Sequence, residues 1–128
     1  MNLLLDTHLL LWTVSMSDRL SARARQLIDD RGNDLHFSSA SIWEIAIKSR
    51  RGRDDVSIDP HLLRRELVSR GFQELSVTCD HALGVTNLPR LHGDPFDHIL
   101  LAQALAENLT LLTTDRQFAA YPGPILRV

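Results

Sequence analysis

Asp94-Pro95-Phe96-Asp97-His98-Ile99-Leu100-Leu101-Ala102-Gln103-Ala104-Leu105-Ala106-Glu107-Asn108-Leu109-Thr110-Leu111-Leu112-Thr113-Thr114-Asp115 is the stretch from which the rest of the fold can be read. Asp94 stands before a proline, an N-cap followed by a residue suited to the first helical position, and apolar residues then recur at helical spacing through Ala106. Asn108 suits a left-handed helix end, and Leu109 to Leu112 reads as a short buried strand that runs out at Thr113-Thr114-Asp115. The segment is a helix followed by a strand, with acids at both outer ends. In a doubly wound sheet the C-terminal ends of strands and the N-termini of the next helices share one edge. Asp97 in the first turn and Asp115 at the strand exit are therefore expected at the same cleft.

The rest of the chain extends this pattern. Asn2 to Leu5 suits a central strand buried on both faces, stopping at Asp6, and Thr7 to Val14 resumes as a mostly buried helix. Taken alone, Asp6 is a helix N-cap. Ser21 to Arg31 reads as a second helix with Ala22, Leu27 and Ile28 inward, closed by Gly32 and Asn33. Leu35 to Ser38 is a candidate strand. Ser41-Ile42-Trp43-Glu44 then matches a capping box in which Glu44 reaches back to the N-cap amide. Against that reading, Ile42, Trp43, Ile45, Ala46 and Ile47 imply a largely buried helix, and a buried carboxylate is costly without a cation or strong donors. Lys48-Ser49-Arg50-Arg51-Gly52-Arg53 is a basic turn, open to either of two readings: solvated surface or phosphate contact.

Pro60 to Arg70 reads as a helix capped by Asp59 and stopped by Gly71, carrying the Arg64-Arg65 pair. Phe72 to Val77 gives a strand and Thr78 to Leu88 a helix with Cys79 and His81, neither of which has a partner at metal-ligand spacing. After Asp115, a short helix with Phe118 and Ala119 precedes a last strand, Ile125 to Val128. Strands and helices alternate, which gives an α/β fold, a single domain over 1–128, with a mainly parallel central sheet.

Composition narrows the function classes. At 128 residues the chain is long enough to bury most of one core. A net charge of -2 and a pI near 6.3 argue against non-specific coating of nucleic acid but leave room for a local basic patch. Cys79 is the only cysteine, so no intramolecular disulfide forms. Met1 to Asp6 has no basic leader region and no apolar run approaches the ~18 residues of a membrane span, so a cytoplasmic protein with no membrane partner is expected.

Four carboxylates stand out. Asp6 and Asp115 sit at strand exits, Glu44 and Asp97 in first turns of helices. Capping explains each singly, but it does not explain why all four fall on the C-terminal edge of one sheet. Clustered carboxylates repel one another unless a cation sits among them, and an all-oxygen set suits Mg2+ or Mn2+ better than zinc. A hard divalent ion can supply hydroxide and neutralise a phosphoryl oxygen, and two such ions can divide those tasks, so phosphodiester hydrolysis is the expected chemistry.

Leu3-Leu4-Leu5-Asp6-Thr7-His8, Ser41-Ile42-Trp43-Glu44-Ile45-Ala46-Ile47-Lys48 and Asp94-Pro95-Phe96-Asp97, with Ala102-Gln103-Ala104 and Thr113-Thr114-Asp115, resemble the PIN domain, specifically the VapC-type toxin ribonucleases. The resemblance covers nearly the whole chain and implies a PIN-like three-layer α/β/α sandwich. It also implies that Asp6, Glu44, Asp97 and Asp115 are the catalytic, metal-binding acids, with Thr7 and Thr113 as hydroxyls beside them. Asp94 is a further candidate for metal or substrate contact, although capping is a sufficient account of it. The family further implies Mg2+- or Mn2+-dependent cleavage of single-stranded or looped RNA, a cognate antitoxin that blocks the site, and a homodimer. The pattern departs at Gly93 and His98, where arginine is common; a protonated His98 is the candidate substitute. Arg50, Arg51, Arg53, Arg64 and Arg65 are candidates for RNA contact by charge alone.

Three other readings compete. A phospho-acceptor receiver domain needs a lysine after the last strand and an aspartate ending the middle one. Here Lys48 is the only lysine and Asp54-Asp55 follows a basic loop. A catalytically silent binding module would use Trp12, Trp43 and nearby leucines to receive a partner helix, and leaves the acidic set unexplained. A related nuclease acting on DNA would differ in its contacts to 2'-hydroxyls.

Overall fold

The computed structural model describes residues 1–52, 58–90 and 93–128; Arg53, Asp54 and Asp55 lie outside the described residues. Five strands, β1 (Asn2–Leu5), β2 (Asp34–Ser38), β3 (Gln73–Leu75), β4 (Thr110–Thr113) and β5 (Ile125–Arg127), form one sheet in the order β3-β2-β1-β4-β5. All four pairings are parallel, with Leu3 opposite Leu35 on one side and Thr110 on the other. Among the described residues the helices are α1 (Thr7–Ser15), α2 (Ala22–Asp29), α3 (Ser39–Arg50), α4 (Pro60–Ser69), α5 (Cys79–Gly84), α6 (Pro95–Glu107) and α7 (Arg116–Ala119). None of them is long and apolar enough to cross a membrane.

The strand order explains the layers. The chain steps from β1 outward to β2 and β3, then returns past β1 to β4 and β5. Right-handed crossovers running in opposite directions put their helices on opposite faces of the sheet. The core divides accordingly. Leu3 and Leu5 of β1 and Leu112 of β4 pack with Leu9, Leu10, Ile45, Leu63 and Leu67 on one face. Leu4 and Leu111, the alternate residues of the same strands, pack with Leu100, Leu101, Ala104 and Phe118 on the other. This is an α/β/α sandwich, and its central strands are apolar throughout because neither face meets water.

Helix α6 matches the sequence closely. Asp94 accepts from the Phe96 amide, Pro95 follows, and Asn108 ends the helix in the left-handed region at φ 54°. Other elements differ. Ala24, not Ala22, is the buried alanine of α2, which stops at Asp29. The third strand is confined to Gln73–Leu75, and the helix expected over 78–88 is α5 followed by a 3-10 turn, Val85–Asn87. The largest revision is α3. Ser38, buried at the end of β2, caps it by accepting from the Ala40 amide at 3.0 Å, so the helix begins before Ser41. Glu44 then lies in the second turn, out of reach of the N-cap amide, and the capping box does not form. Trp43, expected inside, is 63% exposed.

Candidate active site

Strand β1 lies between β2 and β4, so the direction of winding reverses at the β1–β4 boundary. Beyond the C-terminal ends of two such strands a parallel sheet opens a crevice. Asp6 lies at that point: its N–H donates to the Leu112 carbonyl at 3.0 Å, carrying the ladder one residue past β1. Its Oδ1 accepts from the Leu9 amide at 3.0 Å and caps α1, while Oδ2 accepts from Thr113 Oγ1 at 2.5 Å. Thr113 in turn accepts from the Asp115 amide at 3.1 Å, and Asp115 Oδ1 accepts from the Gln117 amide at 2.8 Å, capping α7. The exits of β1 and β4 are thus tied by one buried hydroxyl.

Glu44 arrives from α3. Its Oε1 is 2.8 Å from Thr7 Oγ1, and its Oε2 accepts from Lys48 Nζ at 2.9 Å, one turn along the helix. Thr7 has one hydroxyl proton, which goes to the carboxylate, leaving Ser41 Oγ at 2.9 Å to donate to Thr7. Asp97 arrives from α6, and the Trp43 and Phe96 rings meet edge to face at 5.1 Å, clamping α3 against α6 one residue before each acid.

Asp6, Glu44, Asp97 and Asp115, with Asp94 and Thr7, line one cavity of about 290 Å³. Burial first, then the charges of Asp94, Asp6, Glu44 and Asp115, push Asp97 from the ordinary 3.8 up to about 7. Burial also raises Asp6, against the opposing hydrogen bonds from Thr113 and Leu9. Among the described residues no three of these groups are drawn together tightly enough to enclose an ion directly; Glu44 is turned to Thr7 and Lys48, and Asp6, Asp94 and Asp115 each give one oxygen to a backbone amide.

Other candidates fall elsewhere. His98 does not line the cavity; one residue beyond Asp97 the helix has rotated by about 100°, and His98 is half-buried in an apolar groove with Trp43, Phe96 and Ile99. Its Nε2 has no hydrogen-bond partner among the described residues. Arg50 and Arg51 are exposed at the end of α3, away from the cavity, and Arg64 pairs with Glu74 at 2.6 Å. Thr113 supports the site without lining it. His8, Gln117 and Tyr121 do line it. His8 was legible as the neighbour of Thr7; nothing in the local sequence marks Tyr121.

A family model described as PIN domain matches residues 3–124. The chain belongs to the PIN domain family. This PIN domain is 28% identical over 122 residues to Ribonuclease VapC22 of Mycobacterium tuberculosis (strain ATCC 25618 / H37Rv), spanning 94% of this chain and 92% of the relative. Among solved structures, it is similar to a chain of VapBC2 from Rickettsia felis bound to a DNA fragment from their promoter, with a TM-score of 0.71, 16% identity, and coverage of 100% of this chain and 99% of that one. A toxin-antitoxin complex from Klebsiella pneumoniae gives a TM-score of 0.62 at 20% identity, covering 96% of this chain and 94% of the other. The α/β fold of this PIN domain is the one those structures share.

Proposed function

We propose that this PIN domain is a divalent-metal-dependent endoribonuclease, the toxin of a toxin-antitoxin pair, with Asp6, Glu44, Asp97 and Asp115 as its catalytic acids. The observation that carries the reading is electrostatic: four carboxylates from four separate elements line one cavity, where burial and then the charges of Asp94, Asp6, Glu44 and Asp115 drive Asp97 to about 7. A fold keeps such repulsion where a cation relieves it in the working state. The donor set is all oxygen, which fits Mg2+ or Mn2+, and Mg2+ ordinarily keeps several of its waters, so an open set of acids that does not enclose an ion suits it. The 28% likeness to a protein named a ribonuclease, and the fold shared with toxin-antitoxin complexes, support the RNA substrate and an antitoxin partner.

Asp6, Glu44, Asp97 and Asp115 would hold the ion. When bound, the ion supplies positive charge against a phosphoryl oxygen and acidifies water for hydrolysis. The protein's own part is positioning. Thr113 fixes Asp6, Thr7 and Lys48 fix Glu44, and Asp97 gives up its proton where a cation joins the cluster. The homodimer expected from the family is tested by light scattering of the purified chain.

The nuclease test is cleavage of total RNA by the antitoxin-free chain with Mg2+ or Mn2+, against EDTA and against Asp97→Asn. Metal-dependent cutting that the substitution abolishes is expected. A folded wild type that cuts no RNA with either metal sinks the reading; cutting of single-stranded DNA alone would move it to a different substrate.

A further inference from the structure

Beside the acidic cavity runs a second groove, of about 350 Å³, for which the nuclease reading has no use so far. Thr7 and His8 line both spaces, so the first turn of α1 is the wall between them. Past that wall the groove is lined by Trp12, Arg19 and Lys48 among others. His8 is exposed, and its ring centroid lies 5.9 Å from that of the half-buried Trp12, with the planes 42° apart. Rings tilted in this way do not eclipse each other, and π surface is left to the groove. Arg19 makes no ion pair among the described residues, whereas Lys48 is held by Glu44.

Aromatic faces beside a cation that no described acid pairs are what single-stranded RNA requires: bases stack on the rings and phosphates meet the charge. The size agrees. Small-ligand sites begin at about 300 Å³, so the groove accommodates one nucleotide. Its position agrees too, because a strand with a phosphodiester in the acidic cavity has only the His8 wall to pass before the neighbouring base enters the groove.

We propose that His8 and Trp12 form the stacking platform for the base next to the scissile phosphodiester of single-stranded RNA, with Arg19 meeting the phosphate beyond it. The inference rests on the nuclease reading of the acidic cavity and names the subsite that selects where it cuts.

Two measurements test it. In a Trp43→Phe background, Trp12 is the remaining tryptophan, and its fluorescence is followed while four homopolymeric hexaribonucleotides are added in EDTA. Quenching that saturates and differs among the four bases is expected, with affinity lowered about 5- to 150-fold by His8→Ala, the range of one base–aromatic stack, and restored by His8→Phe. In the cleavage assay, His8→Ala should raise KM by a similar factor with kcat within about twofold, and relax the sequence preference at one position beside the cut. His8 is exposed, so its replacement does not threaten the fold. Unchanged KM and unchanged cut sites in His8→Ala, with wild type cutting normally, would sink the platform alone and leave the groove to a peptide. Loss of kcat at constant KM would also overturn it, since that would mark His8 as part of the acidic site. The quenching arm contains no metal, so it decides the platform even where wild type cuts nothing and the nuclease reading falls: no saturable quenching, or quenching that His8→Ala leaves unchanged, would overturn the platform.

Discussion

Replacing Asp97 by asparagine should stabilise the metal-free protein at pH 8. Asp97 is pushed from 3.8 to about 7, first by burial and then by its acidic neighbours. A carboxyl whose pKa is raised by folding holds its proton in the native state over a range where the unfolded chain has lost it. Stability therefore falls as pH rises from about 4, and the full penalty is present above about 7. Three pH units at about 1.4 kcal/mol each would give about 4 kcal/mol in a dry site. Asp97 is only partly buried, and solvent screening reduces this to about 1–3 kcal/mol. The charge also sits in the first turn of α6, where the helix dipole favours it by about 0.3–1 kcal/mol, too little to reverse the sign. Asparagine keeps the shape and removes the charge. Urea unfolding in EDTA at pH 8 should show the variant more stable by about 1–2 kcal/mol after both corrections, and the gap should close below about pH 4. A variant no more stable than wild type at pH 8, or a gap independent of pH, would refute the claim that the acids repel one another across this cavity.

Three further outcomes follow from the same geometry. Adding Mg2+ or Mn2+ at pH 8 should raise the melting temperature of wild type and leave Asp97→Asn nearly unmoved; at a hundredfold excess over Kd the gain is about 2.7 kcal/mol. Thr113→Val strands an oxygen of Asp6 and the Asp115 amide, and should cost about 1–3 kcal/mol in urea unfolding while Thr113→Ser restores most of it. Asp94→Ala should lose an α6 cap worth about 1 kcal/mol, whereas Asp94→Asn keeps the cap but removes a charge, so carbon NMR of the Asp97 carboxyl should show it titrating below about 7.

The layers of this fold were legible because its strands are short apolar runs and its helices carry the spacing and caps that mark their ends. Leu3, Leu4 and Leu5 are all fully buried, which is what an unbroken apolar run at a strand implies. The start of α3 was not legible, since Ser38, Ser39 and Ser41 are equally good caps by type. Position settles the choice: Ser38 stands where β2 ends, Ser39 Oγ accepts from the Val77 amide, and Ser41 is drawn to Thr7. The three-residue offset changed the account of Glu44 from a cap to a carboxylate held by tertiary contacts. His98 shows the opposite limit. The family pattern, with arginine common at this position, suggested a protonated His98 beside the acids, yet adjacent helical residues point in different directions, and the groove it enters is built by residues far away in sequence, among them Trp43 and Val77.

Capping and the metal-binding role proposed for these acids do not compete. Asp94 and Asp115 each use Oδ1 for a backbone amide, and among the described residues Oδ2 of each has no hydrogen-bond partner. Asp6 spends Oδ1 on the Leu9 amide and holds Oδ2 against a hydroxyl that can rotate away. A cap fixes a carboxylate's direction through one oxygen and leaves the other for the cavity, so the ordering of the side chain is completed on folding and need not be repeated when an ion or phosphate arrives. The helix N-termini behind Asp6, Asp94 and Asp115 also place backbone N–H dipoles beside the negative charge, which lessens the repulsion that a cation would otherwise have to relieve alone. For these three aspartates, the residue type that best starts a helix after a strand or loop is the type that a hard cation selects. That is why each looked ordinary singly, and why only their convergence on one cavity distinguishes a site from a set of caps.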